Sequence, residues 1–180
     1  MKDKIGEASG EDAAARADGR RFTPLIEKIL NKHHRHVREE VPRINALLKK
    51  CSGGCGESAE AIGAVARFFE GVAKELEAHL LKEEDELFPA LTAADKGRPH
   101  ADVAPIVQRL RDEHGHAGDA LTRTHVSLAE ALLPEGERPE IKELHRRLLE
   151  FEADLREHVR AEDLLFARAA GLDGGPGGKA

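Results

Sequence analysis

The 180-residue sequence has no tryptophan, no tyrosine, one methionine and two cysteines. Without tyrosine, no site in this chain can generate a tyrosyl radical. Two cysteines, Cys51 and Cys55, cannot build a disulfide framework and suit a reducing compartment. They read as two loop thiols, since a zinc site there would lack its other two ligands. An excess of positive charge is also missing: 28 basic residues stand against 34 acidic ones, a net charge of -6. There is no positive field to hold a polyanion, so nucleic acid is excluded as a partner. No segment approaches the ~18 unbroken apolar residues of a membrane span, and Met1 to Arg20 lack the apolar stretch of a secretory signal. The expectation is a soluble, cytoplasmic chain with no membrane partner.

What the sequence has is helix-forming residues and ten histidines. Its length suits one domain with loose ends. Residues 1–21 are polar and expected to be disordered, and 172–180 form a flexible Gly-rich tail. Between them, over 22–171, four apolar-periodic segments are separated by breakers. The first opens at Thr23-Pro24, an N-cap followed by proline at the first helical position, and runs to about Lys49. A second runs from near Ser58 to about Leu91, and Gly97-Arg98-Pro99 ends it. A third starts near Asp102 and stops before Pro134. The fourth begins at Pro139 and fades near Ala170. Sparse β-branched residues leave the strand alternative little support, so the chain is expected to be all-α, an up-down-up-down four-helix bundle.

An amphipathic helix buries residues spaced three and four apart, and two of these stripes contain charges. In the fourth segment the stripe reads Leu144, Leu148, Phe151, Leu155, His158, Glu162, Leu165. The second reads Phe68, Val72, Leu76, His79, Glu83, Leu87. A bare buried carboxylate costs several kcal/mol, so a carboxylate one turn from a histidine, twice over, calls for a compensating cation. The third stripe, Val103, Val107, Leu110, His114, Ala117, Leu121, turns His114 inward and His116 outward. In the first segment Leu30 and Val37 bracket both His33 and His34, and periodicity does not choose between them. In an antiparallel bundle, His34, His79, His114 and His158 fall within about one turn of a common level, at ~1.5 Å per residue. His125 and His145 lie far from that layer, and His36, His100 and His116 read as solvated.

Four imidazoles and two carboxylates exceed what one tetrahedral zinc takes, and imply two ions in N/O coordination. Glu83 and Glu162 can each bridge both. Iron fits this donor set with a solvent-derived bridge, manganese would satisfy the same ligands, and no haem attachment motif is present.

Four motifs occur in order: Ile29-Leu30-x-x-x-His34-x-x-x-Arg38-Glu39-x-x-Pro42, His79-Leu80-Leu81-Lys82-Glu83-Glu84-x-x-Leu87-Phe88-Pro89, Asp112-Glu113-His114-x-x-Ala117-Gly118, and His158-x-x-x-Glu162-x-x-Leu165-Phe166. Over about residues 22–170 the chain resembles the hemerythrin-like (HHE cation-binding) family, and within it the di-iron proteins that repair iron-sulfur clusters. The resemblance selects His34 over His33. It implies an oxo- or hydroxo-bridged di-iron centre in which His34, His79, His114 and His158 ligate and Glu83 and Glu162 bridge. It also implies a role in nitrosative or oxidative stress, by repair of clusters or by binding or reducing nitric oxide. The partners would then be a diatomic ligand (NO or O2), iron-sulfur clients and an electron donor. If the chain is an enzyme, it is a di-iron oxidoreductase acting on nitric oxide or peroxide. The alternative is a non-catalytic protein that binds O2 or NO, stores iron or senses. Gly118 stands where oxygen carriers place another histidine, and no cysteine pair occurs in residues 1–21, where the repair proteins carry one. Glu75, one turn before His79, and Glu113, beside His114, are candidate outer acceptors or proton carriers.

Overall fold

The computed structural model describes residues 21–53, 57–98, 102–115 and 138–171. Among these residues all regular structure is helical and no strand occurs. Helix α1 runs without a break through Thr23–Lys28, Ile29–His34 and Arg35–Ser52, the middle segment being π-helical. Helix α2 comprises Glu57–Lys82, a second π-helical segment Glu83–Leu87, and Phe88–Asp95. Helix α3 is described over 104–115, and α4 is the unbroken Pro139–Ala169. Expectations for the two chain ends, Cys55, His100, His116, Gly118, His125 and the rest of the third helix lie outside the described residues.

The helix ends follow local chemistry. Pro24 and Pro139 sit in the first turns of α1 and α4, where a missing N–H costs nothing. Thr23 is not the N-cap it was expected to be, because Phe22 holds that place. The cap comes from another helix: the Asp95 carboxylate at the end of α2 accepts the N–H groups of Phe22 and Thr23 at 2.8–3.0 Å and the Thr23 hydroxyl at 2.7 Å. Helix α2 continues four residues beyond the expected Leu91 and ends where Gly97 adopts φ 62°, a left-handed conformation that suits glycine.

The core is divided. One apolar cluster, around Ile44, Leu48, Phe69, Leu144 and Phe151, fills one half of the bundle, and a second, around Ile29, Leu87, Leu91, Leu110 and Phe166, fills the other. All seven residues of the predicted α4 stripe are buried. On α2 the expected Phe68 is 41% exposed and its neighbour Phe69 fully buried, 6.1 Å from Phe151 in a T-shaped contact. Both phenylalanines lie within a helical turn of Val72, and the partner on α4 decides between them. Cys51 is a further correction. The helix extends past Lys49, and Cys51 is a buried member of the first cluster instead of a loop thiol.

Candidate metal centre

The buried polar side chains among the described residues are His33, His34, His79, Glu83, His158 and Glu162. They lie in the layer between the two apolar clusters, and the half-buried His114 joins them from α3. The ligating edges converge. His34 Nε2 is 3.2 Å from Glu83 Oε2 and 3.7 Å from Glu162 Oε1. His114 Nε2 is 2.9 Å from Glu162 Oε2 and 3.1 Å from His79 Nε2, and His158 Nε2 faces Glu162 Oε1. Two four-residue groups result, His34, Glu83, His158, Glu162 and His79, Glu83, His114, Glu162, in each of which one donor atom per residue lies within 4.8 Å of every other. Both glutamates belong to both groups, the arrangement that a pair of bridging carboxylates requires.

The donor set fits cations on an independent ground. His34 Nε2, His158 Nε2 and all four oxygens of Glu83 and Glu162 are buried without a hydrogen-bond partner. Buried polar atoms are normally satisfied, and six orphans aimed at one space mark a place for positive charge. The carboxylates' own electrostatics agree. Burial and the neighbouring Glu162 push Glu83 well above the usual carboxylate range. Burial acts on Glu162 in the same sense, but His114, His158 and His34 overcome it and hold that group well below the range. Burial would lower His34, yet Glu162, Glu83 and Glu84 together raise it to about 9.

Local helix geometry places the ligands. His34 ends one π-helical segment and Glu83 begins the other. A π turn carries an extra residue, a distortion often found at functional sites. In α1 it turns both His33 and His34 inward, at 4% and 0% exposure, which resolves the ambiguity of the stripe differently from a choice of one. His34 faces the glutamates, whereas His33 stacks on His158 with ring centroids 5.2 Å apart and an interplanar angle of 3°.

Outer contacts orient two of the rings. His79 Nδ1 is 2.9 Å from Glu113 Oε2, and Lys82 donates to the same carboxylate. His34 Nδ1 is 2.6 Å from Glu84 Oε1, which Arg38 Nη1 reaches at 2.9 Å. A carboxylate can only accept, so each neutral ring carries its proton on Nδ1 and keeps the Nε2 lone pair for the interior. Glu113 therefore serves His79, not the adjacent His114. Glu84 lies 50 residues from His34 in the sequence and carries no local signal of this contact beyond its place next to the inward Glu83. Glu75 is exposed on α2, and no hydrogen bond among the described residues ties it to His79. It lines a cavity of about 720 Å³ whose inner end is formed by His79, His114, His158 and Glu162. His36 is not simply solvated: its Nε2 lies 2.8 Å from Asp154 Oδ2. His145 is half-buried on α4, away from the layer.

Comparison with known proteins accords with this geometry. The family model described as the hemerythrin HHE cation binding domain matches residues 25–170. The chain belongs to that family. Among curated proteins, it is 30% identical over 149 residues to the iron-sulfur cluster repair protein YtfE of Yersinia pestis (strain Pestoides F) and to that of Yersinia pseudotuberculosis serotype IB (strain PB1/+). Identity to YtfE of Yersinia pseudotuberculosis serotype O:1b (strain IP 31758) is 29%. Each alignment covers 82% of this chain and 66% of the relative, so the chain spans just under two thirds of the curated relatives it matches. No solved structure gives a significant match. Among the described residues no helix is long and apolar enough to cross a membrane. Membership of this cation-binding family implies binding of a metal such as iron, and the buried His/Glu groups of the layer could hold it.

Proposed function

We propose that this HHE-domain chain holds two iron ions in the layer and acts in the repair of iron-sulfur clusters damaged by nitric oxide or oxidants, in the cytoplasm. The observation that carries the reading is that Glu83 and Glu162 are shared by two overlapping donor groups, one with His34 and His158 and one with His79 and His114. The names of the YtfE relatives supply the repair role. When bound, an iron pair supplies one-electron redox chemistry and iron that can be passed on. The protein's part is to fix the rings through Glu84 and Glu113, to keep water from the glutamates by burial, and to balance charge.

The cavity ending at His79, His114 and His158 favours a second reading of the same centre, in which a diatomic molecule such as nitric oxide or oxygen reaches it and is bound or reduced. A client iron-sulfur protein and an electron donor are the partners that these readings call for. The deciding experiment is to incubate an iron-sulfur enzyme, inactivated by nitric oxide, with iron-loaded and metal-free protein. Recovery of activity with the loaded form alone supports repair. Equal recovery with both forms rejects it, and nitrous oxide formed catalytically from nitric oxide and a reductant favours the second reading.

A further inference from the structure

The four inward imidazoles are not held alike. His34 and His79 are each tied at Nδ1 to a carboxylate, Glu84 and Glu113, and each carboxylate is tied in turn to a cation, Arg38 and Lys82. His158 and His114 have no hydrogen-bond partner at Nδ1 among the described residues. Ring stacking holds them instead, His158 against His33 and His114 against Phe166, with centroids 5.4 Å apart in the second pair. Each donor group thus pairs one imidazole tethered at Nδ1 with one that has no hydrogen bond there among the described residues. Stacking restrains a ring less directionally than a charge-assisted hydrogen bond.

The surroundings are asymmetric as well. The large cavity, walled by Val72, Leu76, Leu155 and Val159, meets His114, His158 and Glu162 together with the tethered His79, and of the four imidazoles only His34 does not line it. On the other side of the bundle a groove lined by Ile26, Leu30, Phe88 and Ala93 reaches Glu84 but none of the inward ligands.

We propose that metal enters and leaves through the cavity beside Val159, with His114 and His158 swinging aside as the gate while His34 and His79 stay fixed. The proposal rests on the reading of the layer as a metal centre. Each imidazole keeps its lone pair as it swings, so the step needs no oxidant, reductant or added proton. Iron donation would then start from the two stacked histidines, and His34 and His79, held by Glu84 and Glu113, would be the fixed ligands that recapture the ion.

A gate changes rates in both directions by one factor, whereas a ligand or a tether changes the equilibrium. The test is anaerobic loading with Fe(II), followed by release to a colour-forming Fe(II) chelator, on wild type, Val159→Phe and Ala93→Phe. Narrowing the cavity with Val159→Phe should slow loading and release by the same factor and leave the Kd unchanged. Filling the opposite groove with Ala93→Phe should leave both rates as in wild type. The gate is overturned if Val159→Phe changes neither rate, if it changes release alone, or if Ala93→Phe slows them. Wild-type protein that takes up no Fe(II) would instead sink the metal-centre reading beneath it.

Discussion

Glu84 Oε1 lies 2.6 Å from His34 Nδ1, and the Arg38 guanidinium holds that same oxygen at 2.9 Å. The pairing fixes both the tautomer and the angle of the imidazole. Burial raises the Glu84 pKa, but Arg38 and His34 outweigh it and keep the group below its usual value, so the acceptor is ionised at neutral pH. Truncation by Glu84→Ala removes the acceptor and leaves the ring to rotate. Loss of such an outer partner weakens metal binding by about 10- to 100-fold. Competition titration with a chelator of known affinity measures it, and an unchanged Kd would show that Arg38 and Glu84 only decorate the surface.

The register of α2 gives a second prediction. Phe69 is fully buried against Phe151, whereas Phe68 is 41% exposed. Phe69→Ala should destabilise the fold by about 3–5 kcal/mol, the usual range for a buried phenylalanine. Phe68→Ala, at a surface position, should stay within about 0.5 kcal/mol of wild type. Urea denaturation of the two variants distinguishes them, and equal losses would contradict the register seen here.

The same pair shows where the sequence could and could not be read. Along α4 every stripe residue from Leu144 through Leu165 is buried, because the helix is regular and its period keeps Leu148 and Leu165 inward while the adjacent Leu149 and Leu164 stay exposed. In α2 two neighbouring phenylalanines satisfy the period equally, and only the position of Phe151 across the core separates them. His33 and His34 pose the harder case. Regular 3.6-residue periodicity offers one inward place, and the π-helical turn over Ile29–His34 creates two. Five of the six residues expected to ligate were legible as imidazoles and carboxylates in a core stripe, His34 needed the family motif, and all six stand in one layer. Glu84, Arg38 and Asp95 were illegible, since their roles arise from contacts between helices.

Asp95 provides the pH prediction. Burial works to raise its pKa, but hydrogen bonds from the Phe22 and Thr23 backbone and the Thr23 hydroxyl prevail and hold it below the ordinary 3.8. The folded state therefore binds its proton less tightly than the unfolded chain. The resulting stabilisation is fully present above pH 3.8 and disappears as pH falls through the lower folded value. Asp95→Asn keeps one acceptor oxygen but loses the charge, and should cost about 1 kcal/mol at pH 7, the difference between a charge-assisted and a neutral hydrogen bond. The gap from wild type should shrink as the pH is lowered below 3.8. Thermal melts of both proteins across that range measure it, and a gap independent of pH would mean that the carboxylate's charge plays no part.

Stability and metal binding should oppose each other at Glu83. Its carboxylate is fully buried, has neither oxygen hydrogen-bonded, and is pushed well above the usual range by burial and by Glu162. A sequence selected for stability alone would place a leucine there, continuous with Leu80 and Leu87 on the same helix. A buried carboxylate without a hydrogen bond carries an effective desolvation penalty of several kcal/mol, which an apolar residue of similar size does not. Glu83→Leu should therefore melt at or above the temperature of metal-free wild type. It should also lose both ions, because Glu83 belongs to both donor groups. His145→Ala, on the half-buried α4 surface away from the layer, should keep the full metal complement. Differential scanning calorimetry of chelator-treated protein together with elemental analysis tests the pair of expectations. A Glu83→Leu protein that melts well below metal-free wild type would show that the carboxylate supports the fold itself, and one that retains both ions would remove Glu83 from the centre.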